Sequence, residues 1–289
     1  MLGASAGRLQ ALAAAVLFST GGAAIKTLPF TALQLSGLRS GIAAVVLLCW
    51  ARRRLRLTRT IMAGALAYAA TVTLFVAANK LTTSADAIFL QSSAPLFLIV
   101  LAPALLHERF RTRDLMLILV LAAGMTLAFL GSPQASRTAP DPPAGNLLGL
   151  VSSLTWALTL VALRFLERDP GEHGSGLSVV ILGNVFAAAF ASPGLVSWPS
   201  AGAVAWLTVV YLGVAQIALA YVCLTAAMRH LPALDVSMLL LLEPVLNPIW
   251  TWLLHGEQPG AAVIAGGAII LAATAVRAVL EMRDVNLPS

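Results

Sequence analysis

Apolar runs of about 20 residues follow one another from end to end of this chain with only short polar breaks between them. Each is long enough to cross a hydrocarbon core ~30 Å thick. Lipid offers the backbone no hydrogen-bond partners, so runs of this kind must be helices. Hydrophobic residues make up 59% of the chain and charged residues 10%, with a mean hydropathy of +0.90, which leaves no room for a large aqueous domain. The pattern predicts an all-α polytopic membrane protein.

About ten spans are expected, near 8–27, 31–51, 59–80, 84–106, 113–132, 145–167, 176–192, 202–228, 232–255 and 259–281. The N-terminal stretch reads as the first of them rather than as a cleaved signal peptide, because its loss would leave an odd helix count. The longest break, SPQASRTAPDPPAG, is rich in Pro, Ser and Gly and reads as a linker. It sets the expected organisation as a first five-helix repeat over 1–132, a linker over 133–144 and a second five-helix repeat over 145–289.

A repeated stretch supports the duplication. Asp86 to Glu108, DAIFLQSSAPLFLIVLAPALLHE, is echoed by Asp235 to Glu257, DVSMLLLLEPVLNPIWTWLLHGE. In both, the proline (Pro95, Pro244) lies nine residues after the Asp and thirteen before the Glu. Two directly joined copies of an odd-numbered unit enter the membrane from opposite sides, which is the inverted-topology repeat of many secondary transporters.

The formal charge of +6 does not point to nucleic acid, since no basic stripe with interleaved aromatics occurs on any soluble segment. It marks orientation instead. With the N-terminus inside, the inner segments hold Arg8, Arg52, Arg53, Arg54, Arg56, Arg59, Arg109, Arg111, Arg113, Arg164, Arg168, Arg229, Arg277 and Arg283, whereas the outer ones hold only Lys26, Lys80 and Arg137. Equivalent loops diverge in the same sense: ERFRTRD follows the first copy of the motif and EQPGA the second. That is the positive-inside rule acting on inverted copies, and it places both termini in the cytoplasm of a bacterial-type inner membrane.

The five-helix halves, the arginine in LQLSGLRSGIAAVVLL, and the LLEPVLNPIWTWLLHGEQP run before a Gly-rich last helix resemble the EamA-type members of the drug/metabolite transporter superfamily. The resemblance covers nearly the whole chain. One departure is that Phe18-Ser19 and Trp156-Ala157 stand where the family often has Trp-Gly. Membership implies a ten-helix carrier of small metabolites, often an exporter of amino acids, and the apolar-aromatic character is similar to the YddG-type exporters of aromatic and neutral amino acids. Transport of this kind proceeds by alternating access.

Glu243 is the most informative residue, because an ionisable side chain in mid-membrane costs at least ~2.5 kcal/mol and is a functional candidate by default. It serves either as a substrate-amine or proton site, or as the structural partner of Arg39, the one basic residue well inside a span. Arg39 lies within Gly37-x-x-x-Gly41, a face that permits close helix approach. Pro95 and Pro244 are expected to kink the fourth and ninth helices at equivalent midpoints and to act as rocking elements. Ser19, Tyr68, Gln91, Trp156, Asn184 and Gln216 fall at similar depths as candidate substrate-binding residues, and Glu243, Asn247 and Trp250 share one helix face.

Other chemistries find little support. Asp86 and Asp235 suit helix N-termini on opposite membrane faces, which is no geometry for a shared-proton protease dyad. His107-Glu108 lacks the second His of H-E-x-x-H, and no P-loop, G-x-S-x-G or Cys-His metal spacing occurs, so neither an enzyme nor a metal or cofactor is expected. Cys49 and Cys223 lie within apolar helices, and His107, His230 and His255 lie near helix ends. The expected partners are a small-molecule substrate and the bilayer, and nothing demands more than a monomer. Two alternatives stand beside the amino-acid exporter: a broad drug or cationic-metabolite/proton exchanger built on Glu243, and a non-transporting membrane scaffold or receptor. With the native cysteines replaced, a cysteine at Leu57 should be labelled by an impermeant maleimide only from the inside and one at Ser197 only from the outside; the reverse pattern would overturn the orientation.

Overall fold

The computed structural model describes residues 2–51, 55–108, 112–130, 139–168, 171, 175–197 and 200–255, and ten single positions between 261 and 276. Among them every regular element is helical. In the first half these are α1 (Leu2–Ser19), α2 (Gly21–Thr27), α3 (Ala32–Ala51), α4 (Arg59–Leu81), α5 (Ser84–Gln91), α6 (Ala94–Leu101) and α7 (Thr112–Leu130). In the second they are α8 (Pro142–Arg168), α9 (Gly176–Ala191), α10 (Ala203–Tyr211), α11 (Ala220–Met228), α12 (Ala233–Leu239) and α13 (Leu242–His255). A π-helical turn, Ala102–Leu106, extends α6, and a longer π-helical stretch, Leu212–Leu219, joins α10 to α11.

Among the described residues seven segments are long and apolar enough to span a bilayer: Gly3–Lys26, Ala32–Ala51, Arg59–Leu81, Asp86–Leu106, Pro142–Arg168, Gly176–Leu195 and Ala203–Met228. They match seven of the ten expected spans. At the fifth and ninth positions stand α7 and the pair α12–α13, and the described positions between 261 and 276 are helical. The chain is therefore a polytopic membrane protein. Arg52–Arg54, Arg109, Arg111, Arg137, Arg277, Arg283 and Glu257, together with half of the expected linker, lie outside the described residues.

The halves interleave. α4 packs against α8 and α9, α3 against α9, and α1 against α11, with Tyr68, Leu160 and Leu163 fully buried between them. Close approach of α3 to α9 depends on the expected small-residue face, for a β-carbon on Gly37 would lie 2.9 Å from Ala191 Cβ. Large apolar side chains such as Leu9, Val45, Val100, Leu119 and Phe190 point outward, as lipid-facing surfaces do.

The fourth helix is broken rather than kinked. α5 ends at Gln91, a turn at Ser92–Ser93 follows, and Pro95 lies in the first turn of α6. The ninth breaks at the equivalent place, between Leu239 and Leu242, with Pro244 in the first turn of α13. The expectation of proline kinks is corrected accordingly: at a first turn the missing N–H would have had no intrahelical partner, so proline is tolerated there and marks the restart of the helix.

Two polar clusters close opposite ends of the bundle. At one end Arg164 Nε meets Glu108 Oε1 at 2.9 Å and its Nη1 donates to the Met228 carbonyl, while Glu108 Oε2 accepts from Ala233 N. Nearby, Arg229 Nε lies 2.7 Å from Glu167 Oε2, whose other oxygen accepts from Gly176 N, and Arg168 donates to the Leu106 carbonyl. Arg56 joins this end by donating to the Gly171 carbonyl. At the other end of α4, about 34 Å away at 1.5 Å per residue, Lys26 donates to the Asn79 and Thr82 carbonyls and Lys80 to that of Leu28. Asp86, in the first turn of α5, accepts from Thr82 at this lysine end, whereas Asp235 lies in the first turn of α12 at the arginine end. The fourth and ninth helices thus start from opposite ends of the bundle, and the two aspartates are too far apart to share a proton. Glu167 is buried, so Glu167→Ala should leave Gly176 N and Arg229 unsatisfied and cost about 2 kcal/mol, read as a melting temperature in detergent lower by ~4–8 °C; an unchanged melting temperature would show the cluster to be energetically idle.

Candidate functional site

A cavity of about 40 Å³ lies between the two halves, with space for one or a few water-sized groups. Arg39 reaches it from α3, Thr71, Val72 and Phe75 from α4, and Gln91 from the end of α5. From the second half come Trp156 on α8, Gln216 and Ile217 on the π-helical stretch, Tyr221 on α11 and Glu243 on α13, while Phe18 on α1 completes the wall. Five sequence-predicted residues therefore meet in one place: Arg39, Gln91, Trp156, Gln216 and Glu243.

The expected pairing of Arg39 with Glu243 takes a different form. Both line the cavity, yet no ion pair joins them among the described residues. Arg39, only 2% exposed, donates from Nη2 to the Val72 carbonyl at 3.2 Å and from Nη1 to Gln216 Oε1 at 3.5 Å, and its Nε has no protein partner. Glu243 lies in the first turn of α13, and no cation pairs with it among the described residues.

Gln216 owes its position to the π-helical stretch, where the wider turn rotates a side chain off the ordinary α-helical face. An aromatic cluster forms the rest of the wall. Tyr221 is its hub, with ring centroids 5.1 Å from Phe18, 5.9 Å from Trp156 and 4.8 Å from Tyr68, at the steep interplanar angles that aromatic quadrupoles favour. Tyr68 does not reach the cavity but stands behind Tyr221, held by Asn184 Nδ2 donating to its hydroxyl at 2.8 Å and seated against Gly183. A hydroxyl ladder positions Gln91: its Nε2 donates to Ser152 Oγ, Ser152 donates to the Thr71 carbonyl, Thr71 donates to Thr155, and Ser93 at the helix break meets Ser153 at 3.0 Å.

Three predicted residues hold helices together instead. Trp250 Nε1 donates to Ser19 Oγ at 2.8 Å and ties α13 to α1, outside the cavity wall. Asn247 is buried against α2, where a β-carbon on Gly22 would lie 2.6 Å from its Oδ1. Phe18, Thr71, Phe75 and Tyr221 were not predicted. Tyr221 carried the same signal as Tyr68, a polar-tipped ring in mid-span.

The EamA-like transporter family profile matches this chain twice, over residues 5–130 and 143–278. The chain belongs to the EamA-like transporter family. An uncharacterized transporter of Archaeoglobus fulgidus is 26% identical over 214 residues, 74% of each chain. One crystal structure of a protein is similar with a TM-score of 0.75 at 24% identity, covering 96% of this chain and 98% of that one, a likeness of fold alone. As an EamA-like transporter, the chain has its intramembrane charges gathered where elements of both matched segments meet.

The aromatic wall depends on space beside Tyr68. A β-carbon at Gly183 would lie 2.4 Å from the Tyr68 ring, so Gly183→Val should destabilise the protein by ~1–3 kcal/mol through overpacking. Gly202, whose added β-carbon meets nothing within 4 Å, is the control, and Gly202→Ala should melt within a degree or two of wild type. Equal melting of the two variants would contradict the packing described.

Proposed function

We propose that this protein carries small zwitterionic metabolites, neutral or aromatic amino acids first, out of the cytoplasm by alternating access. The observation that carries the reading is the pair of opposite charges that share one cavity without pairing to each other, Arg39 and Glu243. A substrate carboxylate would accept from the Arg39 guanidinium, whose Nε lacks a protein partner, and a substrate ammonium would donate to Glu243. Phe18, Trp156 and Tyr221 would pack against the near part of the apolar side chain, next to the α-carbon.

The magnitudes favour a charged ligand. A carboxylate in mid-membrane costs about 2.5–3.5 kcal/mol, and a helix N-terminus returns about 0.3–2 kcal/mol of that. An ammonium ion at Glu243 offsets the remainder. The proposed architecture is ten helices in two inverted halves, 1–132 and 145–289 about a linker, with both termini cytoplasmic in a bacterial-type inner membrane. Glu108–Arg164 and Glu167–Arg229 would close the inner end, and the breaks beside Pro95 and Pro244 would let the fourth and ninth helices flex as the halves rock. Because Glu243 has no cation partner among the described residues, a second reading, exchange of a cationic metabolite against protons, rests on the same carboxylate.

Purified protein in liposomes should take up labelled neutral and aromatic amino acids saturably. Arg39→Lys, which loses the planar fork, should weaken binding ~10–100-fold. Flux that needs a pH gradient and vanishes in Glu243→Gln, with cations preferred over zwitterions, would select the exchanger. Absence of any flux would remove the transport reading of this cavity.

A further inference from the structure

A second, larger cavity, about 240 Å³ and open on the side of Leu96 and Thr126, lies on the far side of the two helix breaks. Its walls are Phe89, Leu90, Pro95, Leu96, Ile118, Ala122 and Leu241, and among the described residues the side-chain polar groups that line it are the hydroxyls of Ser92, Ser93 and Thr126. Between it and the central cavity lies a small gap of about 10 Å³. Gln91, Trp156 and Glu243 line both the central cavity and the gap, and Ser92 and Leu241 line both the gap and the apolar chamber. The two breaks therefore face each other, Ser92 from the fourth helix and Leu241 from the ninth, as a thin partition between a charged site and an apolar room.

The geometry points to the chamber as the subsite for the hydrophobic part of the substrate, with Leu241 as the residue that sets how long that part can be. This rests on the proposal that the central cavity binds the charged groups of an amino acid. Leu241 is only 2% exposed and closes the gap with its side chain, so a ligand whose head is held between Arg39 and Glu243 extends an alkyl chain toward it and displaces it. Space on the far side amounts to on the order of eight water-sized groups, far more than the central cavity offers. The class of substrate implied is an amino acid with an unbranched or aromatic side chain larger than the central cavity alone would admit.

Quenching of Trp156 fluorescence, or calorimetry, with alanine, norvaline, norleucine and 2-aminooctanoic acid on the full-length protein in detergent tests this. Affinity should rise about threefold per added methylene in wild type. Ala122→Phe, which fills the chamber, should abolish the rise while leaving alanine binding within twofold. Leu241→Ala, which opens the partition from the other side, should favour 2-aminooctanoic acid over alanine at least fivefold more than wild type does. Binding of all four acids with no dependence on chain length, as when a bilayer acyl chain occupies the chamber, would overturn the subsite and leave the central site standing. No binding of any amino acid to wild type would overturn both.

Discussion

Every backbone N–H and carbonyl inside a bilayer must find its partner within the protein, because the lipid offers none. Unbroken helices meet this demand by themselves, so each interruption in this chain needs a local answer. At the first break Ser93 supplies one: its hydroxyl bonds the Leu90 carbonyl, its amide bonds the same carbonyl, and Leu96 N reaches back to the carbonyl of Ser93. Ser153 of α8 secures that hydroxyl from the other half. At the second break Leu241 N reaches Met238 and Glu243 N reaches Leu240. The prolines that follow need no partner at those places. What the breaks gain is two helix starts in the middle of the protein, and the cavity lies where one of them, α13, presents Glu243.

Electrostatics divide the molecule into ends and a centre. At the ends, among the described residues, Glu108 serves Arg164 and Ala233, Glu167 serves Arg229 and Gly176, and Lys26 and Lys80 cap carbonyls. In the centre, among the described residues, Arg39 is held by a carbonyl and a long contact to Gln216. A structural pair would have brought Arg39 and Glu243 into contact. Their separation around shared space is the arrangement a dipolar ligand would complete, and in a low-dielectric surround such contacts are worth more than at a surface.

Much of this was legible from residue order. Period-long apolar runs announced the spans, and the shared register of Asp, Pro and Glu announced two copies. The cost of charge in lipid singled out Arg39 and Glu243, and mid-depth polarity added Gln91, Trp156 and Gln216. Depth, however, is a single coordinate. It does not say which way a side chain faces, so Ser19 and Trp250, at suitable depth, turned out to bind each other, and Tyr68 with Asn184 turned out to brace the wall from behind. The proline was read as a kink because its ring excludes an α-helical interior, while the alternative, a new helix beginning one or two residues before it, depends on the Ser92–Ser93 turn being anchored from α8.

The sequence by itself determined that the chain is a bundle of membrane helices in two related halves, because hydropathy and the positive-inside bias act on local composition and need no knowledge of contacts. It also determined which residues were too costly to be present without a reason. Tertiary structure decided which of them share a space. The meeting of Gln216 with Arg39, the steep ring packing around Tyr221, and the meeting of two breaks at Ser92 and Leu241 all bring together residues far apart in the chain. No local pattern encodes such encounters, since they are set by how helices from opposite halves pack.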